Sequence, residues 1–156
     1  MKPSRDCQRA RVYAWEDRVV RANDRSTLPH MAAQGMVDAI WADLGLRFPP
    51  KVERLPSQAR RLEADASRLR LRLPDAIPSW LLLHELAHAL NSSHDGASDG
   101  HGPAFMGLYI QLLVRYMRLC GAELLRSATA AGIDVHPDAR PRFVDPTPPR
   151  VRIDCR

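Results

Sequence analysis

Residues 84–101 read HELAHALNSSHDGASDGH, and four of these eighteen residues are histidine. His84 and His88 bracket Glu85 in the pattern H-E-x-x-H. Residues four apart on a helix lie one turn apart on the same face, so both imidazoles can reach one ion. Zinc suits such a pair, being four-coordinate and taking neutral imidazole nitrogen at about 2.0–2.1 Å. A third protein ligand leaves the fourth position to water, whose pKa then falls to around 7. Glu85 sits beside that water as the candidate general base. It would take the proton as the oxygen attacks an amide carbonyl, then pass it to the leaving amine. His94 and His101 both offer the third nitrogen, and Glu123 offers a carboxylate, although a solvated helix-face charge explains Glu123 as well.

The segment that must position these groups is PSWLLLHELAHAL, residues 78–90. It is apolar almost all round, which predicts a buried helix. His84, Glu85 and His88 are its ionisable side chains, and burying three such groups is costly unless they share partners. A chance match to H-E-x-x-H is the competing explanation, and this buried setting argues against it. The polar loop NSSHDGASDG follows. A second helix is predicted from Pro103 to about Leu119, with Phe105, Leu108, Tyr109, Leu112, Tyr116 and Leu119 as its stripe. A short third helix runs from about Ala122 to Ala131 and stops at Gly132.

Upstream, LPHMAAQGMVDAIWADLG predicts a helix that starts at Pro29 and stops at Gly45, with Met36, Val37, Ile40, Trp41 and Leu44 inward. Residues 10–25 fit neither the helical nor the strand period. Short strands are predicted at Val52–Leu55, Arg60–Asp65 and Arg68–Leu73. RLRLRL alternates strictly, which would turn Leu69, Leu71 and Leu73 inward and Arg68, Arg70 and Arg72 outward. Asp65-Ala66-Ser67 reads as the turn of a hairpin. The arginines either guard an exposed sheet edge or meet a substrate, and an extended peptide could add to that edge as a strand. From Asp134 onward five prolines and no periodicity predict an extended or disordered tail, residues 134–156, after a single domain over residues 1–133. The fold class expected is α+β, a small antiparallel sheet packed on helices.

Bulk properties agree with one globular domain: 156 residues, 45% hydrophobic and 26% charged. No apolar run reaches the length of a membrane span, so no membrane partner is expected. The start, MKPSRDCQRARVYAWEDRVV, lacks the apolar core of a secretory signal. Cys7, Cys120 and Cys155 are far apart and have no C-x-x-C spacing, which excludes a disulfide framework or cysteine zinc site as the simple reading and points to the cytoplasm. A net charge of +5 admits a nucleic-acid partner. The basic residues are nearly all arginine and are spread along the chain, without the clustered patch such a partner needs.

Through His94 the motif reads H-E-x-x-H-x-x-N-x-x-H, which resembles the metzincin pattern with Asn91 in place of glycine. Asparagine tolerates the left-handed turn needed there. Metzincins also carry a methionine turn in a loop, whereas Met106 and Met117 fall inside the predicted second helix. His101 instead opens HGPAF. An H-E-x-x-H followed after a loop by H-G-x-x-F or H-G-x-x-W resembles the SprT-like zinc metallopeptidases. The order of parts over roughly residues 50–120 is similar to theirs. RVYAWED and GAELLRSATAAGIDV are similar to a set of bacterial metallohydrolases with the same core.

The resemblance implies a zincin-like core, zinc held by His84, His88 and His101, Glu85 as general base, and a peptide or protein substrate. No cysteine ribbon follows the domain, so the DNA-linked roles of some relatives are not implied. The rival from another class is a zinc-stabilised adaptor that binds protein or nucleic acid without turnover, and an intact Glu85 argues against it. Tyr109, Tyr116, Arg115 and His94 are the candidate oxyanion stabilisers. Metal-bound imidazoles usually donate their second N–H to a carboxylate or carbonyl. Asp95 and Asp99 lie closest to His101 in sequence, and spacing assigns neither.

Overall fold

A computed structural model describes residues 6–56 and 64–143. Helix α1 (Arg9–Trp15) leads into a π-helical turn (Glu16–Val20) and a 3-10 turn (Arg21–Asn23). Val12, Trp15 and Val20 are fully buried, and so, nearly, is Glu16. Tyr13 is exposed between them. A buried charge and an exposed aromatic ring in one stretch explain why residues 10–25 fit neither period.

Strand β1 (Thr27–Pro29) enters α2 (His30–Asp43) directly, with Pro29 one residue ahead of the first helical position. Gly45 ends this segment at a φ of 73°, a left-handed conformation that costs glycine little. Further on, β5 (Ala76–Pro78) runs directly into α3 (Ser79–Leu90). The two strands pair antiparallel, Leu28 opposite Ile77, so α2 and α3 start side by side.

The other sheet has the order β2-β4-β3, from β2 (Lys51–Arg54), β4 (Arg70–Leu73) and β3 (Asp65–Ala66). Because β2 runs parallel to β4 while β3 runs antiparallel to it, the sheet is mixed, which corrects the expected antiparallel one. Burial gives the reason. Leu71 and Leu73 are fully buried while β2 is mostly exposed, so the most apolar strand takes the centre and the two strands that precede it, β2 and β3, take the edges. The predicted hairpin forms with its turn displaced. Asp65 and Ala66 pair with Arg72 and Leu71, and the Ser67 N–H donates to the Arg70 carbonyl at 2.8 Å. Residues 60–63 of the predicted middle strand lie outside the described residues.

The strict alternation of RLRLRL stops short of its first pair. Arg68 and Leu69 form a bend before β4, and their sides are exchanged: Arg68 is 2% exposed and Leu69 57%. The Arg68 guanidinium lies 4.0 Å from the Phe143 ring centroid and 4.9 Å from that of Trp41 and donates to the Phe48 carbonyl. Stacking on aromatic faces and a hydrogen bond compensate the buried charge. Arg70 and Arg72 face outward as predicted, paired with Glu53 and Asp65.

Helices α3 and α4 (Pro103–Met117) pack along each other at the centre, and α5 (Gly121–Ala130) packs against α4 and α1, burying Leu124 and Ala128. Beyond it the described chain, residues 133–143, has neither helix nor strand. It nevertheless packs as a strap. Ile133, Ala139 and Phe143 are buried, the His136 N–H donates to the Pro103 carbonyl, and the Arg142 N–H donates to the Leu90 carbonyl. A Cβ at Gly107 of α4 would collide with the His136 carbonyl, so a glycine lets the strap pass there. The packed unit therefore runs past residue 133, through Phe143. Among the described residues no helix is long and apolar enough to cross a membrane.

Candidate metal centre

Helix α3 puts His84, Glu85 and His88 where its apolar residues meet the core: His84 is 3% exposed and Glu85 5%. The loop after Leu90 then returns to the start of α4. Asp99 closes this loop. Its carboxylate accepts the Ala104 N–H at 2.8 Å and the Phe105 N–H at 3.3 Å, capping α4, and accepts the Asn91 side-chain amide at 2.6 Å. His101 sits two residues before α4 and is delivered to the two histidines of α3.

The three Nε2 atoms form a nearly equilateral triangle with sides of 3.1, 3.2 and 3.3 Å. Nitrogens bound to one tetrahedral ion at 2.0–2.1 Å are separated by about 3.3 Å. The residues present therefore fit a metal ion held by three imidazoles. Nitrogen donors on this triangle suit zinc and its neighbours among the divalent transition metals better than calcium or magnesium, which take oxygen.

Two carboxylates aim the rings. Glu16 Oε2 lies 2.6 Å from His84 Nδ1, and Asp6 Oδ2 lies 2.5 Å from His101 Nδ1. Asp6 also accepts the backbone N–H of His101. Such contacts fix the tautomer that presents Nε2 to an ion and raise its basicity. Gln8 steadies the same loop. Its amide N–H donates to the carbonyls of His101 and Asp134, and its oxygen accepts the Asp134 N–H.

Electrostatics agree with this donor set. Burial, then the charges of His84 and His101, holds the His88 pKa well below the usual 6.5. Burial also lowers that of His101, with Asp6 opposing. Burial disfavours the His84 imidazolium too, but Glu16 outweighs it and the pKa rises. A cation held at Nε2 would take the place of that proton. Glu85 is pushed up to about 7, chiefly by burial, with His84 pulling it down and Glu16 and Asp65 pushing it up. Glu85 lines a polar cleft of about 380 Å³ together with His84, Arg9, Tyr13 and Trp80.

No protein-family model, curated protein or solved structure matches this chain. What the site can do follows from its own chemistry.

The other sequence candidates lie elsewhere. His94 is exposed in the loop, its ring 6.2 Å from that of Phe143. Asn91 keeps a φ of −86°, outside the left-handed region of a metzincin-type turn. Glu123 is an exposed charge beside Arg126. Tyr116 and Arg115 both bond to Asp43 and do not line the cleft. Tyr109 lies beneath the site, its ring 5.3 Å from that of His84, and complete burial keeps it from any substrate. Asp95 accepts a hydrogen bond from the Ser93 hydroxyl, so neither loop aspartate orients an imidazole. Asp6, Glu16 and Tyr13 escaped sequence reasoning. Glu16 stands 68 residues from its histidine and Asp6 95 from its own, beyond any local spacing rule.

Proposed function

We propose that the protein is a zinc-dependent hydrolase of peptide bonds, built on a zincin-like core similar to that of the SprT-like metallopeptidases. His84, His88 and His101 hold the ion, and Glu85 is the general base. The observation that carries this reading is the triangle of Nε2 atoms, one of whose histidines, His84, lines a cleft together with Glu85. Zinc bound there supplies a Lewis acid for the amide carbonyl and acidifies water. Glu85 accepts the proton of the attacking water as its oxygen adds to the carbonyl carbon. When the C–N bond breaks, Glu85 returns that proton to the leaving nitrogen, so one water is consumed and an acid and an amine are released. Glu16 and Asp6 keep the two imidazoles aimed throughout.

The surface supports a peptide or protein substrate over nucleic acid. Arg70 and Arg72 are matched by Glu53 and Asp65, which leaves that sheet face without the unpaired charge that nucleic acid needs. The exposed thiol of Cys120 suits a reducing cytoplasm.

The test is Glu85→Gln, which keeps shape and removes the base. Zinc should remain at one ion per chain by elemental analysis, while cleavage of denatured protein and peptide libraries falls by about 10²–10⁴. Equal cleavage by both forms would remove Glu85 from the mechanism. Zinc in both with cleavage in neither would make the protein a zinc-stabilised adaptor.

A further inference from the structure

The hydrolase reading leaves the negative charge on the substrate oxygen without a protein donor, and each donor proposed from sequence lies elsewhere. One residue of the cleft has no other task. Tyr13 on α1 holds its ring 5.0 Å from that of His101 and 6.0 Å from that of His84. It lines the same cleft as Glu85. It is 39% exposed, whereas Val12 and Trp15 beside it are fully buried, so core packing does not explain it. Its hydroxyl hydrogen-bonds no described residue. One turn earlier on the same helix face, Arg9 places its guanidinium 5.5 Å from the Tyr13 centroid and also lines the cleft.

We propose that Tyr13 is the oxyanion donor of this centre and that Arg9, held against its ring, adds the positive charge of the same pocket. The assignment rests on the hydrolase reading. As water adds, the carbonyl π pair moves onto oxygen, and the Tyr13 O–H hydrogen-bonds that oxygen without giving up its proton. The pair returns to carbon as the C–N bond breaks and Glu85 protonates the nitrogen. A donor fixed before the reaction is effective because nothing has to reorganise when the charge appears. The fixing is visible in the helix itself. Three residues on, Glu16 bonds to His84, so one helical segment carries both the group that aims a metal ligand and the group that meets the substrate.

The experiment uses the zinc-loaded full chain and a phosphinic pseudotripeptide, whose tetrahedral anion imitates the charged oxygen. Calorimetry should show Tyr13→Phe binding it about 10- to 100-fold more weakly than wild type, the loss of one hydrogen bond to a charged group. Zinc affinity and melting temperature should stay at wild-type values, which a purely structural role would not allow. Arg9→Gln should weaken binding by a smaller factor. On peptides that wild type cleaves, Tyr13→Phe should lower kcat and leave KM nearly unchanged. Phosphinate affinity within twofold of wild type in a zinc-loaded Tyr13→Phe protein would overturn the assignment alone, and so would a zinc-loaded wild type that binds no phosphinate. A wild type that holds no zinc would overturn the hydrolase reading first and this assignment with it.

Discussion

Glu16→Gln tests whether a carboxylate 68 residues away sets the grip of the metal centre. The substitution keeps the size of the side chain and an oxygen able to accept the His84 Nδ1–H, so only the charge is lost. That charge acts at 2.6 Å with both side chains at most 5% exposed, where solvent screens little. Removing a partner of this kind costs about 10- to 100-fold in metal affinity. At tenfold per 1.4 kcal/mol this is about 1.4–2.8 kcal/mol of binding free energy. With zinc in excess of both dissociation constants the same energy leaves the folded state. For a chain of this size the melting temperature should then fall by about 3–10 °C. In chelator the difference should shrink, because exchanging a buried ion pair for a neutral one is close to balanced. Competition against a fluorescent chelator gives the affinity, and melts with and without zinc give the stability. Asp99→Asn is the control. It weakens the cap of α4, so about 1 kcal/mol of stability should go while zinc affinity holds. A Glu16→Gln protein that binds zinc as wild type does, beside an Asp99→Asn protein that does not, would refute the reasoning and return the orienting role to the loop.

His101→Ala should lose its zinc and His94→Ala should keep it, with a stability change within about 0.5 kcal/mol for the exposed loop residue; elemental analysis showing the opposite pattern would move the third ligand to the metzincin position. Phe143→Ala should cost about 3 kcal/mol in chemical denaturation, since the ring stacks on Trp41 at 5.5 Å and caps the Arg68 guanidinium. An unchanged midpoint would mean that the strap adds nothing to the core.

Legibility in the sequence followed the range of the interactions. Helices α3, α4 and α5 begin and end within two residues of their predicted limits because each carries a long stripe or a proline or glycine boundary. The three-residue strands β1 and β5 were not foreseen. They are too short to show a period and owe their pairing to a partner about fifty residues away. Arg68 misled because alternation along the chain says nothing of the two aromatic rings that the fold brings over it. The three histidines of the candidate centre were legible because two share a helix and the third opens the next. Asp6 and Glu16 were not, since nothing local marks a carboxylate whose partner is a histidine elsewhere in the chain. In α1 and the turn after it two residues that face the candidate site hid the helix: Tyr13 is an exposed aromatic ring and Glu16 a buried carboxyl group.

The contacts that hold the imidazoles also set an order of events during synthesis. His84, His88 and His101 leave the ribosome within eighteen residues of one another. The groups that aim them do not, because Asp6 and Glu16 emerge long beforehand and Gln8 reaches its second partner, Asp134, only across 126 residues. A nascent chain can offer zinc two or three loosely held histidines early, and such a site exchanges its ion readily. Closing loops of this length costs entropy that the finished core must repay. If the centre holds zinc as proposed, slow metal exchange would become a mark of completed folding, and a chain released before the strap has docked would give the ion up to any competing chelator.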